Sequence, residues 1–347
     1  MENNRTYHII GAGIAGLYTA KLLKEQDPLS SIIVYEAAEK IGGRCGSFFD
    51  SDLNCPCDNA THVILNCNKR AKKLLGSKLF THKIRFWNFN KNSFIPSFLC
   101  LPEINSAIFN TRQPNWRSFL FVFFKLFPFF NLRAYFSTGD LEESLCAPLL
   151  SYVDDIHYNC VWQSFKADDK HISQLIFSHK TVSIAPQDII ISAIDSYHYN
   201  HIMGGFDFDY NSICNIIFRT SMTLTLPENL KMIGLKNATS HWLFCSSNYT
   251  AVTISHLNDS VDSHSLWSEI CKIRHYNAAF LPAYKIMTYP LATISQNKQN
   301  NQMRPISCRT VYDNLFICGD WTMKNQPCCI ETALNSAVRL AKIVSKN

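Results

Sequence analysis

Strand, glycine turn and helix follow one another at both ends of this chain, and that pattern predicts an α/β fold built on a Rossmann-like domain. Three observations carry the prediction. Gly11, Gly13 and Gly16 stand in G-x-G-x-x-G spacing directly behind the apolar run 7–10. A second apolar run, 32–35, ends on the acid Glu36. Near the other end, the strand-like stretch 314–318 leads into Gly319-Asp320-Trp321-Thr322 and then a helix from about Ile330.

Each element has a physical task. Gly11 makes a tight turn, Gly13 leaves room for a pyrophosphate to touch backbone, and Gly16 lets helix and strand pack closely. The backbone from Gly11 through Ala12, Gly13, Ala15 and Gly16 is therefore the expected cradle. The following helix faces the phosphate with free N–H groups and the positive end of its dipole. Glu36, placed 20 residues after Gly16, can accept hydrogen bonds from ribose hydroxyls. Six of the chain's 12 glycines fall within its first 46 residues, which marks that stretch as the place where backbone freedom is needed.

The second glycine turn, Gly42-Gly43-Arg44-Cys45-Gly46, lets backbone pass beside a large cofactor, with Arg44 as a fixed charge for phosphate or flavin. At the C-terminal end, Gly319 permits close approach and Asp320 can bind a ribityl hydroxyl. Ile330, Ala333, Leu334, Ala337, Val338, Ala341 and Val344 then recur at helical spacing. The N-terminus of this helix can face the flavin pyrimidine and stabilise negative charge on reduced flavin. Together the two ends predict one FAD site, and Trp321 is expected to pack against the flavin or the substrate.

Composition sets bounds. The 347 residues suggest about two domains. With 47% hydrophobic and 17% charged residues, a sizeable core is expected and global disorder is not. The net charge of +6 is scattered apart from Lys69, Arg70, Lys72 and Lys73, which read as a solvated helix face, so no nucleic-acid partner is expected. The 14 cysteines include no C-x-x-C pair; Cys55, Cys57 and Cys67 near His62 read as small buried hydrophobes in a reducing cytosol, and no metal is expected. No secretory leader is expected from the residues ahead of the first strand, and no apolar run reaches the roughly 20 residues of a membrane span. The aromatic run 119–130, broken by Lys125 and Pro128, fits either a buried helix or one lying in a membrane interface.

These motifs in this order resemble the flavin amine oxidase and phytoene desaturase superfamily, and within it the squalene-associated FAD-dependent desaturases, the hydroxysqualene dehydroxylases. The likeness extends to Asp58-Asn59-Ala60-Thr61-His62-Val63, Phe109-Asn110-Thr111, Trp242-Leu243-Phe244, Ala292-Thr293, Arg304-Pro305 and Cys329-Ile330-Glu331-Thr332-Ala333. The chain departs from the family's pattern at Ala60, Thr61, Thr332 and Ala337, and between about residues 79 and 102 it is shorter. The resemblance implies reduction of hydroxysqualene to squalene on the route to hopanoids, with departure of an allylic hydroxyl and hydride delivery from reduced FAD. It implies a polyprenoid substrate, an external electron donor to FAD, and a cytoplasmic protein in possible peripheral contact with a membrane. Asp58 and His62, the ionisable pair of the matched segment, are the catalytic candidates, and Val161 lies in the segment expected to contact adenine. A flavin amine oxidase, a carotenoid-type desaturase and a shortened non-catalytic homologue are the alternatives.

The expected organisation is a discontinuous FAD-binding domain, residues 1–75, 138–200 and 300–347, interleaved with a mixed α+β substrate domain, 76–137 and 201–299. Strands are expected at 188–193, 211–218 and 251–255, and a polar loop at 296–302.

Overall fold

The structure, a computed structural model, describes residues 5–59, 63–126, 132–137, 140–220, 226–246, 248–255, 261–274 and 280–345. Its helices are α1 (Ile14–Gln26), α2 (Lys69–Leu75), α3 (Leu101–Phe109), α4 (Trp116–Leu126), α5 (Ser196–Met203), α6 (Ser263–Arg274), α7 (Lys298–Met303) and α8 (Ile330–Val344).

A five-stranded parallel sheet joins distant parts of the chain in the order Asp155–His157, Ser31–Tyr35, Thr6–Ile10, Ile189–Ser192, Leu315–Ile317. Residues of alternating parity face opposite sides. Ile9, Val34, Ile191 and Phe316 pack with Leu17, Ala20 and Leu23 of α1 and Leu334, Leu340 and Ala341 of α8. Ile10, Tyr35, Ile190 and Leu315 pack on the other side with Trp162, Ile172, Leu175 and Phe177. The latter residues belong to a three-stranded antiparallel sheet, Trp162–Asp168, His171–Phe177 and Thr181–Ser183. Burial on both faces explains why the parallel strands read as unbroken apolar runs. Full burial of a side chain such as Leu17 or Leu334 contributes about 1.5–3 kcal/mol.

The second layer is a seven-stranded sheet with the order Tyr284–Ile294, Tyr210–Arg219, Tyr249–Ser255, Trp242–Cys245, Met232–Lys236, Arg85–Asn88, Ser93–Ile95. One face packs on Leu266, Trp267 and Ile270 of α6 through Cys214, Ile216, Leu243 and Val252. The opposite face carries Ile217, Met232, Trp242, Phe244 and Ala251, which pack with Ile104 and Phe109 of α3 and with Leu132. A small sheet links the layers: Arg133–Ser137 pairs with Ile64–Leu65 on one side and Leu79–Lys83 on the other. The chain therefore crosses residue 75 within a shared sheet.

Two expectations are corrected. Residues 296–302 are not simply a loop, because α7 occupies Lys298–Met303. The Asn297 side chain caps it by accepting from Asn300 N at 2.7 Å, and the fully buried Asn300 ties it down by donating to Asp209 O and Ser295 O, both at 3.0 Å. The basic cluster on α2 is only half solvated. Lys69 and Lys73 are exposed, but Arg70 Nε donates to Asn335 Oδ1 at 2.7 Å and Lys72 lies 4.7 Å from the centre of the Tyr135 ring.

Candidate active site

The C-terminal ends of the five parallel strands converge on one wall. Gly11 and Gly13 follow the first strand, Glu36 the second, Cys160 and Val161 the third, Ala193 to Asp195 the fourth, and Gly319 and Asp320 the fifth. All of them line a cavity of about 940 Å³ that continues against the seven-stranded sheet. Ligands of open α/β sheets bind at such strand ends.

Local geometry gives this wall its shape. Gly11 N donates to Tyr35 O at 2.7 Å and Gly42 N to Ala12 O at 3.0 Å, so the two glycine turns are bonded to each other and to the sheet. Gly16 sits so close to the turn that an added Cβ would lie 2.0 Å from Gly11 O. A Cβ at Gly13 would meet nothing within 4 Å, because it would project into open space. No side chain caps α1, leaving its first-turn N–H groups for a ligand. An open concavity over an uncapped helix start fits a pyrophosphate. Ala12 is fully buried behind the turn, and Ala15 lines the cavity one residue into α1.

Glu36 accepts from Ala12 N at 2.6 Å and from Ala38 N at 2.9 Å, so it braces the glycine turn with one oxygen and its own loop with the other. Each oxygen keeps a further lone pair for a ligand hydroxyl. Val161 lies half-exposed at the rim and is held by Ser178, whose N donates to Val161 O at 2.9 Å.

Arg44 and Asp320, 276 residues apart, form an ion pair at 2.8 Å across the wall. The Asp320 carboxylate is buried, and its charge raises the affinity of Arg44 for its proton. Gly43 and Ile330 flank this pair on the cavity surface. The loop that carries Asp320 is fastened from behind by Arg304, only 1% exposed. Its guanidinium donates to Met323 O at 2.7 Å, Gln326 O at 3.0 Å and Cys328 Sγ at 3.2 Å. Arg339 of α8 adds a bond to Thr322 O at 3.0 Å. Glu331, at the start of α8, accepts from the backbone N of Arg70 and Ala71 and so caps α2.

Of the two catalytic candidates, the structure describes Asp58. Asp58 is not among the cavity-lining residues; its Oδ1 accepts from Ser47 Oγ at 2.6 Å, which spends it on bracing a strand pair. His62, with Ala60 and Thr61, lies outside the described residues. The Trp321 indole touches the cavity but is only 1% exposed, packs on Tyr199, Phe206 and Phe208, and donates to Ile194 O at 3.0 Å, so it is chiefly a core residue.

The roles of Asp195, Arg304 and Glu331 are not evident from local spacing in the sequence. Only Asp195 carries a local signal: it precedes α5 and caps it, accepting from Tyr197 N and His198 N at 3.0 Å.

A family model described as an NAD(P)-binding Rossmann-like domain matches residues 9–77. A putrescine oxidase variant, 11% identical, superposes with a TM-score of 0.70 over 99% of both chains. The Rossmann-like fold and the two-ended site are those of an FAD-dependent oxidoreductase. Along nearly its whole length the chain is similar to hydroxysqualene dehydroxylases. That of Zymomonas mobilis is 23% identical over 97% of this chain and 98% of its own. That of Rhodopseudomonas palustris is 25% identical over 98% of both. These alignments run over 412 and 418 positions against 347 residues here, so the relatives carry segments with no counterpart in this chain.

Proposed function

We propose that this protein reduces hydroxysqualene to squalene, using an FAD held at the strand-end wall. The observation that carries the substrate class is the character of the cavity beyond that wall. Ile84, Ile104, Ile108, Leu132, Ile213 and Met232 make it apolar, and among the described residues its carboxylates, Glu36, Asp195, Asp320 and Glu331, all belong to the cofactor side. An amine substrate would need an anionic partner for its ammonium group away from the cofactor side; a polyprenoid needs an apolar wall that excludes water, to which Trp242 and Phe244 also contribute.

Gly11 to Gly16 and the start of α1 take the pyrophosphate, Glu36 a ribose, and Val161 the adenine side. Gly43, Arg44, Asp320 and Ile330 take the flavin end. Bound reduced FAD supplies the hydride, and an external donor must restore it. The protein's own part is to orient the chain of the substrate, exclude water from the carbon that is reduced, and stabilise the departing oxygen. The 76–137 and 201–299 segments form the substrate part in this reading.

Access from a lipid phase has support in α4. Trp116, Leu120 and Phe124 recur every four residues and are 66%, 38% and 74% exposed, so one face of the helix offers large apolar groups to solvent. Asn115 holds the start of that helix by accepting from Ser118 N at 3.1 Å, and the fully buried Ser118 fixes which face turns inward. We read this face as a peripheral membrane contact. Among the described residues no helix is long and apolar enough to cross a membrane.

The test is incubation of FAD-loaded protein with hydroxysqualene and an excess of reductant under anaerobic conditions, with products separated by mass spectrometry. Squalene is expected. Intact hydroxysqualene, with the flavin reduced throughout, would overturn the assignment.

A further inference from the structure

The cavity wall holds polar groups that the fold itself leaves unused. Asn215 is 1% exposed and its Nδ2 has no hydrogen-bond partner; Trp242 is 4% exposed and its Nε1 has none either. Both side chains line the apolar half of the cavity. A buried N–H without a partner is destabilising and rare in folded proteins, so two in one apolar wall call for a ligand that satisfies them.

Sheet register sets them in one row, with Thr253 on the strand between them. Asn215 pairs directly with Thr253, and Thr253 pairs directly with Trp242. Directly opposed residues share a face, so the three side chains stand in one row across three neighbouring strands. Thr253 Oγ1 donates to Asn215 Oδ1 at 2.7 Å, which engages the carbonyl end of that amide and leaves the NH₂ end free. On the other flank the row continues through Gly234 to Phe86. A Cβ at Gly234 would lie 2.4 Å from the Phe86 ring, so glycine is what allows Phe86 to sit edge-on against the indole, ring centres 5.6 Å apart. The indole is thereby fixed in place. Nearby, at the Ser212 end of the Asn215 strand, Asn110 donates to Ser212 O at 3.1 Å and to Thr293 Oγ1 at 2.9 Å, and its Oδ1 is an unpartnered acceptor in the same cavity.

We propose that Asn215 and Trp242 form an oxygen-binding subsite that holds the hydroxyl of a polyprenyl alcohol, with Thr253 as the positioning residue for Asn215. The inference rests on the proposed function for its place in the reaction. There, the C–O bond of the allylic alcohol breaks with its electron pair going to oxygen, and a C–H bond forms with the hydride that reduced FAD supplies. The carbon gains two electrons and the cofactor loses two. The oxygen takes up a proton from solvent and leaves as water. Neutral N–H donors bonded to that oxygen would stabilise the negative charge it gains without themselves changing protonation state.

The experiment measures binding of paired ligands, an alcohol and its hydrocarbon, to FAD-loaded protein. Hydroxysqualene is compared with squalene, and farnesol with farnesene. The wild-type protein is expected to bind each alcohol about tenfold or more tightly than its hydrocarbon, the size of about one net hydrogen bond. Asn215→Leu and Trp242→Phe should remove that preference while leaving hydrocarbon binding and FAD content unchanged. Thr253→Val should reduce it, and Thr253→Ser should restore it. A wild-type protein that binds farnesol no better than farnesene overturns the subsite whatever the substrate is, as do variants that keep the full preference. Discrimination for farnesol without turnover of hydroxysqualene leaves the subsite standing and sinks the proposed reaction instead. If a variant loses FAD, Asn215→Val read on the same ligands keeps the question answerable: an isopropyl group neither donates nor accepts, so the preference must still fall.

Discussion

At the scale of residues, what can be read locally and what cannot separate cleanly. Gly11, Gly13, Gly16 and Glu36 are legible because their tasks depend on short spacings: Gly11, Gly13 and Glu36 line the cavity at the strand ends, and Gly16 lets α1 pack against the Gly11 turn. Asn215 and Trp242 are not legible, because their proximity arises from the pairing of three strands and no spacing along the chain encodes it. Arg304 is similar: nothing near it in sequence announces that a buried guanidinium will collect carbonyls from the loop after Asp320. Replacing Glu36 with Ala should weaken FAD binding by about 1–3 kcal/mol, since the Ala12 N–H loses its acceptor and the ribose loses its own. Fluorescence titration of the apo-protein measures it, and unchanged affinity would remove Glu36 from the site. His8 provides a second residue-level prediction. It is buried between Tyr35 OH at 3.0 Å and Asp188 Oδ2 at 3.4 Å. Burial pushes its imidazole below the ordinary value of 6.5; Asp188 opposes the shift and Lys180 adds a little to it. A folded-state value below the unfolded one means the fold favours the neutral ring. Its contribution is fully present above about pH 6.5 and is lost as the pH falls through the depressed folded value. Melting temperature should therefore fall between pH 7.5 and 5.5 more steeply in the native protein than in His8→Gln; equal slopes would exclude this source.

At the scale of elements, α1 and α8 are where period and punctuation agree. Apolar residues recur at helical spacing, glycines mark the turn before α1, and the two helices pack side by side on the parallel sheet. The short α7 is not legible in the sequence because its six residues, Lys-Gln-Asn-Asn-Gln-Met, hold no apolar stripe; its stability comes from the Asn297 cap and the buried Asn300. The loop 320–328 behaves as an element too, since Arg304 organises it. Arg304→Met should destabilise the protein by about 3 kcal/mol in urea unfolding, because several buried carbonyls lose their donor at once. A change under about 0.5 kcal/mol would show that water replaces the guanidinium without loss. For α4, Trp116→Ser, Leu120→Ser and Phe124→Ser together should abolish flotation of the protein with liposomes and leave its melting temperature nearly unchanged, as expected for exposed positions. Flotation that persists would place the lipid contact elsewhere.

At the scale of the whole molecule, function depends on two layers meeting. The parallel sheet draws its strands from residues 6 to 317, so its wall is complete only when both ends of the chain have folded together. The ion pair between Arg44 and Asp320 joins those ends directly. The antiparallel sheet then supplies the apolar face opposite. The overall α/β architecture and the two-ended cofactor site could be read in the sequence. The continuity of one cavity between the layers could not, since it depends on how the sheets pack. The measurement that tests this arrangement most directly is a single turnover. Protein loaded with one FAD is reduced with dithionite, freed of excess reductant, and mixed with hydroxysqualene without oxygen, while the 450 nm flavin band is followed. The expected result is return of the oxidised band with about one squalene formed per flavin. A reduced flavin that stays reduced until oxygen is admitted, with hydroxysqualene recovered intact, would contradict it.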